Sequence, residues 1–69
     1  MKKKIEKISN DAISQLADIG QFIRQHRRSF KITANAAAQT AGISRVTLHR
    51  IEKGEPTVSM GAYLNVISA

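Results

Sequence analysis

The sequence predicts a compact all-α domain of four helices, at most five. Three observations lead there. Apolar residues recur at the three- and four-residue spacing of amphipathic helices in several stretches. A serine or threonine stands before each stretch, where a side-chain oxygen can cap the first turn. Gly42, Gly54 and Pro56 fall where those helices have to stop. No stretch alternates as a strand would, and nothing repeats or loses complexity beyond a cluster of alanines.

Residues 1–9, MKKKIEKIS, form a basic lead that reads as flexible. Residues 10–69 form the domain. Ser9 or Asn10 caps the first helix, and Asp11 stands at its positive end. Ile13, Leu16, Ala17, Ile19, Phe22 and Ile23 supply its apolar side as far as about Arg28. Arg27 and Arg28 suit its negative end. Ser29 to Ile32 connects to the next helix, with Phe30 and Ile32 expected to pin the connector to the core. Thr33 caps the second helix. Ala34, Ala36, Ala37, Ala38 and Ala41 give it high helix propensity and let a neighbour approach closely.

Gly42 ends the second helix and turns the chain. Ser44 caps the third, and Ile43 and Leu48 are placed to pack across that cap. Thr47 stands where a capping box would carry an acidic partner. Gly54 and Pro56 stop this helix. Ser59 caps a fourth, with Met60, Tyr63, Leu64, Val66 and Ile67 as its apolar side. The chain ends at Ala69 without a stop signal, so the pattern is expected to continue. Two short helices joined by a tight turn, over about residues 33–53, are the layout of a helix-turn-helix.

Composition narrows the partners. A chain of 69 residues removes only about 60% of its unfolded surface from water, so its core is thin. It has no cysteine, hence no disulfide framework and no thiolate zinc site, and a reducing cytoplasm is the expected location. No run approaches the roughly 20 apolar residues of a membrane span, and the basic start is not followed by a signal sequence. The formal net charge is +6. Arg24, Arg27, Arg28, Lys31, Arg45, Arg50 and Lys53 face only Glu52 between positions 24 and 53. Such a run is either a solvated surface or the footprint of a polyanion, and nucleic acid is the first candidate.

The third helix separates the two readings. On a helical wheel Leu48 and Ile51 mark the buried side. Val46, His49, Arg50 and Lys53 lie opposite, with Arg45 at one edge. Arginine can bond guanine through two hydrogen bonds, and a small apolar group can touch the thymine methyl. Arg45, Val46, His49 and Arg50 are therefore the base-contacting candidates. Ser44, Thr47 and Lys53 are candidates for phosphate, as are backbone amides near Thr57 at the start of the fourth helix. Lys2, Lys3 and Lys4 add nonspecific attraction or a minor-groove arm. Glu52 falls beside the buried side and needs a cation there, for which Arg27 is the candidate.

These residues resemble the phage lambda repressor and Cro type of helix-turn-helix, the XRE group. The resemblance runs from about Ile19 to Ala69. It rests on Ile19-Gly20, Ile23 and Arg27 in the first helix, on Ala38, Gly42 and Ile43 at the turn, and on Leu48 and Ile51. The run Ile51-Glu52-Lys53-Gly54 completes it. It implies that the third helix is the recognition helix, that Arg27 and Glu52 form a structural salt bridge, and that the protein binds operator DNA as a homodimer. Three departures stand out. Ala37 occupies a position that is usually a large aliphatic, so Phe22 or Phe30 is expected to compensate. Ala34 and Asn35 replace a glutamine that commonly meets phosphate, leaving Asn35 as the substitute. The fifth helix or C-terminal dimerising segment common in the group is not expected within residues 1–69.

The expected function is a sequence-specific, double-stranded DNA-binding transcriptional regulator, a repressor, with helix 44–53 in the major groove. The alternative is an antitoxin that binds a toxin protein and represses its own operon. No triad ties His26 or His49 to a nucleophile, so no enzyme is expected, nor any cofactor or metal. A lipid surface is disfavoured because the basic residues form a recognition stripe. RNA is disfavoured because Phe22, Phe30 and Tyr63 are all placed as core and leave no aromatic surface for stacking.

Overall fold

A computed structural model describes residues 8–69. Four helices follow one another: α1 (Asn10–Ser29), α2 (Ala34–Ala41), α3 (Arg45–Glu52) and α4 (Met60–Ser68). The arm expected at Lys2, Lys3 and Lys4 lies outside the described residues. All four helices start the same way. The side-chain oxygens of Ser9, Thr33, Ser44 and Ser59 accept from the amides of Ala12, Ala36, Thr47 and Ala62 at 3.0–3.1 Å. Each of these bonds satisfies an amide that the helix itself cannot.

Three helix ends also share one geometry. Lys31, Gly42 and Gly54 are left-handed, at φ 58°, 72° and 77°. The amide after each reaches back to a carbonyl of the last turn: Ile32 to Arg27, Ile43 to Ala38, and Glu55 to Arg50, all at 3.0 Å. Glycine adopts this conformation without strain, and lysine does so at a cost of about 1–2 kcal/mol. The two glycine turns are marked in the sequence, and the lysine turn is not.

Helix α3 sits between α1 and α2, and α4 packs on α2. The buried apolar residues are Ile23, Ala38, Ala41, Leu48, Ile51 and Tyr63, with Leu16, Ile43, Val58 and Val66 packed around them. Tyr63 donates its hydroxyl to the Glu55 carbonyl at 2.8 Å, which ties α4 to the loop after α3.

The joint between α1 and α3 is made by backbone. A Cβ built on Gly20 would lie 2.7 Å from the Glu52 carbonyl and 2.8 Å from the Gly54 nitrogen. One built on Gly54 would lie 2.6 Å from the Ala17 Cα. Farther along, Arg27 locks the joint. Its Nε and Nη2 donate to the two Glu52 carboxylate oxygens at 2.7 and 3.1 Å, and Nη1 donates to the Ile32 carbonyl at 2.9 Å. One side chain thus holds α1, α3 and the connector between α1 and α2. The pair is largely buried, with side chains 16% and 8% exposed. Glu52 holds the Arg27 guanidinium above its ordinary pKa, chiefly through their hydrogen bond.

The apolar assignments need correction. Phe22 and Phe30 are 66% and 64% exposed, and Ile32 also lies at the surface. Phe22 and Ile32 line an open cavity of about 220 Å³ beside Ala37 without filling it, and Phe30 is not among its lining residues. Ile13 and Ile19 on α1, and Met60, Leu64 and Ile67 on α4, are likewise exposed. Length explains much of this. Twenty residues of α1 extend about 30 Å, whereas eight-residue partners extend about 12 Å. The short helices cover only one stripe of the long one. Phe22 stacks on His26 instead, and Phe30 meets His26 edge to face, with centroids 5.7 and 4.9 Å apart.

These contacts differ in what their loss should cost. Gly20→Ala forces two backbones apart and should destabilise by about 3 kcal/mol. Gly42→Ala, with nothing within 4 Å of its Cβ, should cost only the left-handed strain, about 1 kcal/mol. Urea titrations giving equal losses would refute the backbone joint. Glu52→Ala leaves Arg27 unpaired and should cost about 3 kcal/mol, lowering the melting temperature by more than about 10 °C. The double variant Arg27→Met, Glu52→Leu should lose much less than the two single changes summed.

Tyr63 should make stability depend on pH. Its pKa is raised above 10.0, first by burial and then by the Glu55 charge. A raised folded-state value means its contribution to stability is intact below about pH 10 and is lost as pH climbs through the folded value. Tyr63 is the chain's one tyrosine, so tyrosinate absorbance should show a midpoint above that of the unfolded chain.

Candidate nucleic-acid interface

The side of α3 away from the core is open. Leu48 and Ile51 are 1% and 0% exposed, while Arg45, Val46, His49, Arg50 and Lys53 are all exposed. Val46 is 61% exposed amid the cations, and no neighbouring core claims it. Arg27 with Glu52 is the only ion pair among the described residues. Among those residues, no carboxylate neutralises the charges on α3's outer side.

The start of α3 is more constrained. Ser44 accepts from the Thr47 amide and donates its own hydroxyl hydrogen to the Thr47 Oγ1 at 3.0 Å. Thr47 stands at the capping-box position but accepts from the Ser44 hydroxyl, whereas the acidic residue of a capping box accepts from the cap's backbone amide. The arrangement uses the Ser44 donor and leaves the Thr47 hydroxyl hydrogen for an outside acceptor.

The other candidates are spread around this helix. Asn35 is exposed on the first turn of α2. Thr57 is exposed in the loop before α4, where its hydroxyl lies 3.5 Å from a Glu55 carboxylate oxygen. That carboxylate is an unfavourable neighbour for phosphate. Arg45, His49 and Lys53 share a concavity with Arg24 of α1. Sequence reading places Arg24 in the basic run and gives it no role. It lies far from α3 along the chain, and its only local signal is that it precedes Arg27 by one helical turn. Among the described residues, no cluster of metal-ligating side chains occurs and no helix is long and apolar enough to cross a membrane.

Comparison with known proteins agrees with this layout. Residues 18–69 match the family described as helix-turn-helix domain. No curated protein and no solved structure matches. The matched span takes in the last part of α1, where Gly20 and Arg27 make the joint, and all of α2, α3 and α4. The chain belongs to the helix-turn-helix domain family, of the XRE, lambda-repressor-like kind, and its role is DNA-binding and regulatory.

Proposed function

We propose that the protein is a sequence-specific regulator of transcription, acting as a repressor, that inserts α3 in the major groove of duplex DNA. One observation carries this reading: α3 buries Leu48 and Ile51 completely and offers Arg45, Val46, His49 and Arg50 to solvent on one surface. Donors flanking a small apolar group suit base edges and a thymine methyl. Thr47 and Lys53 flank that surface on α3 and serve as phosphate contacts, with Asn35, exposed on the first turn of α2, as a third. Ser44 is a weaker member, because its hydroxyl already donates to Thr47, and Thr57 acts through the backbone amides before α4. In this reading residues 10–69 are the DNA-binding domain, about 33–53 its helix-turn-helix unit, and 1–9 a basic lead.

The regulator acts as a homodimer. Support comes from α4, which carries no charged residue and exposes Met60, Leu64 and Ile67. A charge-free apolar face is where two copies of a basic protein can meet with least repulsion. The same face favours a second reading, an antitoxin that binds a toxin protein there and represses its own operon through α3.

Selection of bound sequences from random duplex DNA tests the proposal. A common motif should emerge, with two half-sites about 10 base pairs apart for the dimer. Recovery without any shared motif would remove sequence-specific regulation. On the selected duplex, Arg50→Ala should weaken binding by about 1–3 kcal/mol and relax preference at one position. Lys53→Ala should weaken all duplexes alike and make the salt slope about one unit shallower. Identical salt slopes for wild type and the Lys53 variant would take Lys53 off the phosphate-contacting surface.

A further inference from the structure

Between α1, the start of α2 and α3 lies an open concavity of about 400 Å³. Arg24 enters it from α1, and Arg45, His49 and Lys53 enter it from α3. Its floor holds Arg27 and Glu52, whose charges are already matched by two hydrogen bonds. Both Glu52 oxygens are engaged there. Among the described residues, no other ion pair neutralises Arg24, Arg45 or Lys53. Two permanent cations outside the base-facing set, Arg24 and Lys53, thus converge from two helices on one hollow. Their mutual repulsion is relieved by an anion seated between them.

We infer that this hollow seats a backbone phosphate of duplex DNA and that Arg24 is a DNA-binding residue, the contribution of α1 to the interface. The inference rests on the proposed DNA binding and extends it. Guanidinium is suited to the role because it bonds phosphate through a planar pair of donors. Placement of the hollow beside α3 matters as well. It lies on the side of α3 that carries His49 and Lys53, so a phosphate held there flanks the bases facing Val46 and Arg50. Arg24 and Lys53 then grip the strand from opposite walls. Arg24 acts on the backbone and reads no sequence.

Two substitutions test this. Arg24→Gln keeps most of the side-chain length and removes the charge, whereas Arg24→Lys keeps the charge. Binding of the full chain to a duplex of arbitrary sequence is followed across a range of sodium chloride concentrations. Each neutralised phosphate contributes about 0.9 to the logarithmic salt slope. Arg24→Gln should therefore flatten the slope by about one unit, and Arg24→Lys should restore most of it. Affinity should fall by the same factor on selected and arbitrary duplexes. A slope unchanged in Arg24→Gln, while Lys53→Ala flattens it, would overturn the role of Arg24 and leave DNA binding intact. Wild type that binds no duplex at all would overturn both readings.

Discussion

The whole arrangement depends on how closely α1 can approach the end of α3. Gly20 and Gly54 let backbone meet backbone, and Arg27 then reaches Glu52 and the Ile32 carbonyl from the same side. This joint fixes two things together. It sets the angle of an eight-residue helix too short to be stable alone. It also brings α1's Arg24 to the edge of α3's basic surface. A bulkier contact at Gly20 would move both. Burying the ion pair is tolerable because each carboxylate oxygen has its own donor, and the third guanidinium donor also finds an acceptor. The pair fixes orientation, while Leu48 and Ile51 supply the apolar burial.

Small residues serve the opposite flank of α3. Ala38 and Ala41 are the buried residues of α2, where larger side chains would hold it away from its neighbours α3 and α4. Using alanine at position 37 has a visible consequence, an open cavity that Phe22 lines and does not fill. The same economy of volume leaves much of α1 and α4 uncovered. In a chain this short, apolar surface at Phe22, Met60, Leu64 and Ile67 exceeds what four small helices can hide. The basic surface of α3 and the apolar surface of α4 involve different residues, so occupation of one does not require the other to open.

Local chemistry is legible in the sequence. Ser9, Thr33, Ser44 and Ser59 cap their helices because a cap depends on residues three positions away. Gly42 and Gly54 mark turns for the same reason. The wheel separates Leu48 and Ile51 from Val46 and Arg50, since that division needs only helical periodicity. Nonlocal features are not legible. Phe22 and Ile23 are adjacent and equally apolar, yet only the geometry of α3 decides that Ile23 is covered. The exposure of Phe22 and Phe30 also removes the ground for disfavouring RNA, that every aromatic is core. Lys31 gives no sign of its left-handed turn because lysine does not favour one. Arg24 gains a place beside α3 only through folding. The Arg27–Glu52 pair is accessible from the buried position of Glu52 and from family resemblance together.

A titration of the amide spectrum with duplex DNA tests the central claim most directly, because it locates the interface even on a duplex of arbitrary sequence. The resonances of Arg45, Val46, His49 and Arg50 should shift most, while those of Met60 and Leu64 remain in place. Shifts centred on the α4 face or on Phe22 and Phe30, with α3 unmoved, would contradict the placement of DNA on α3.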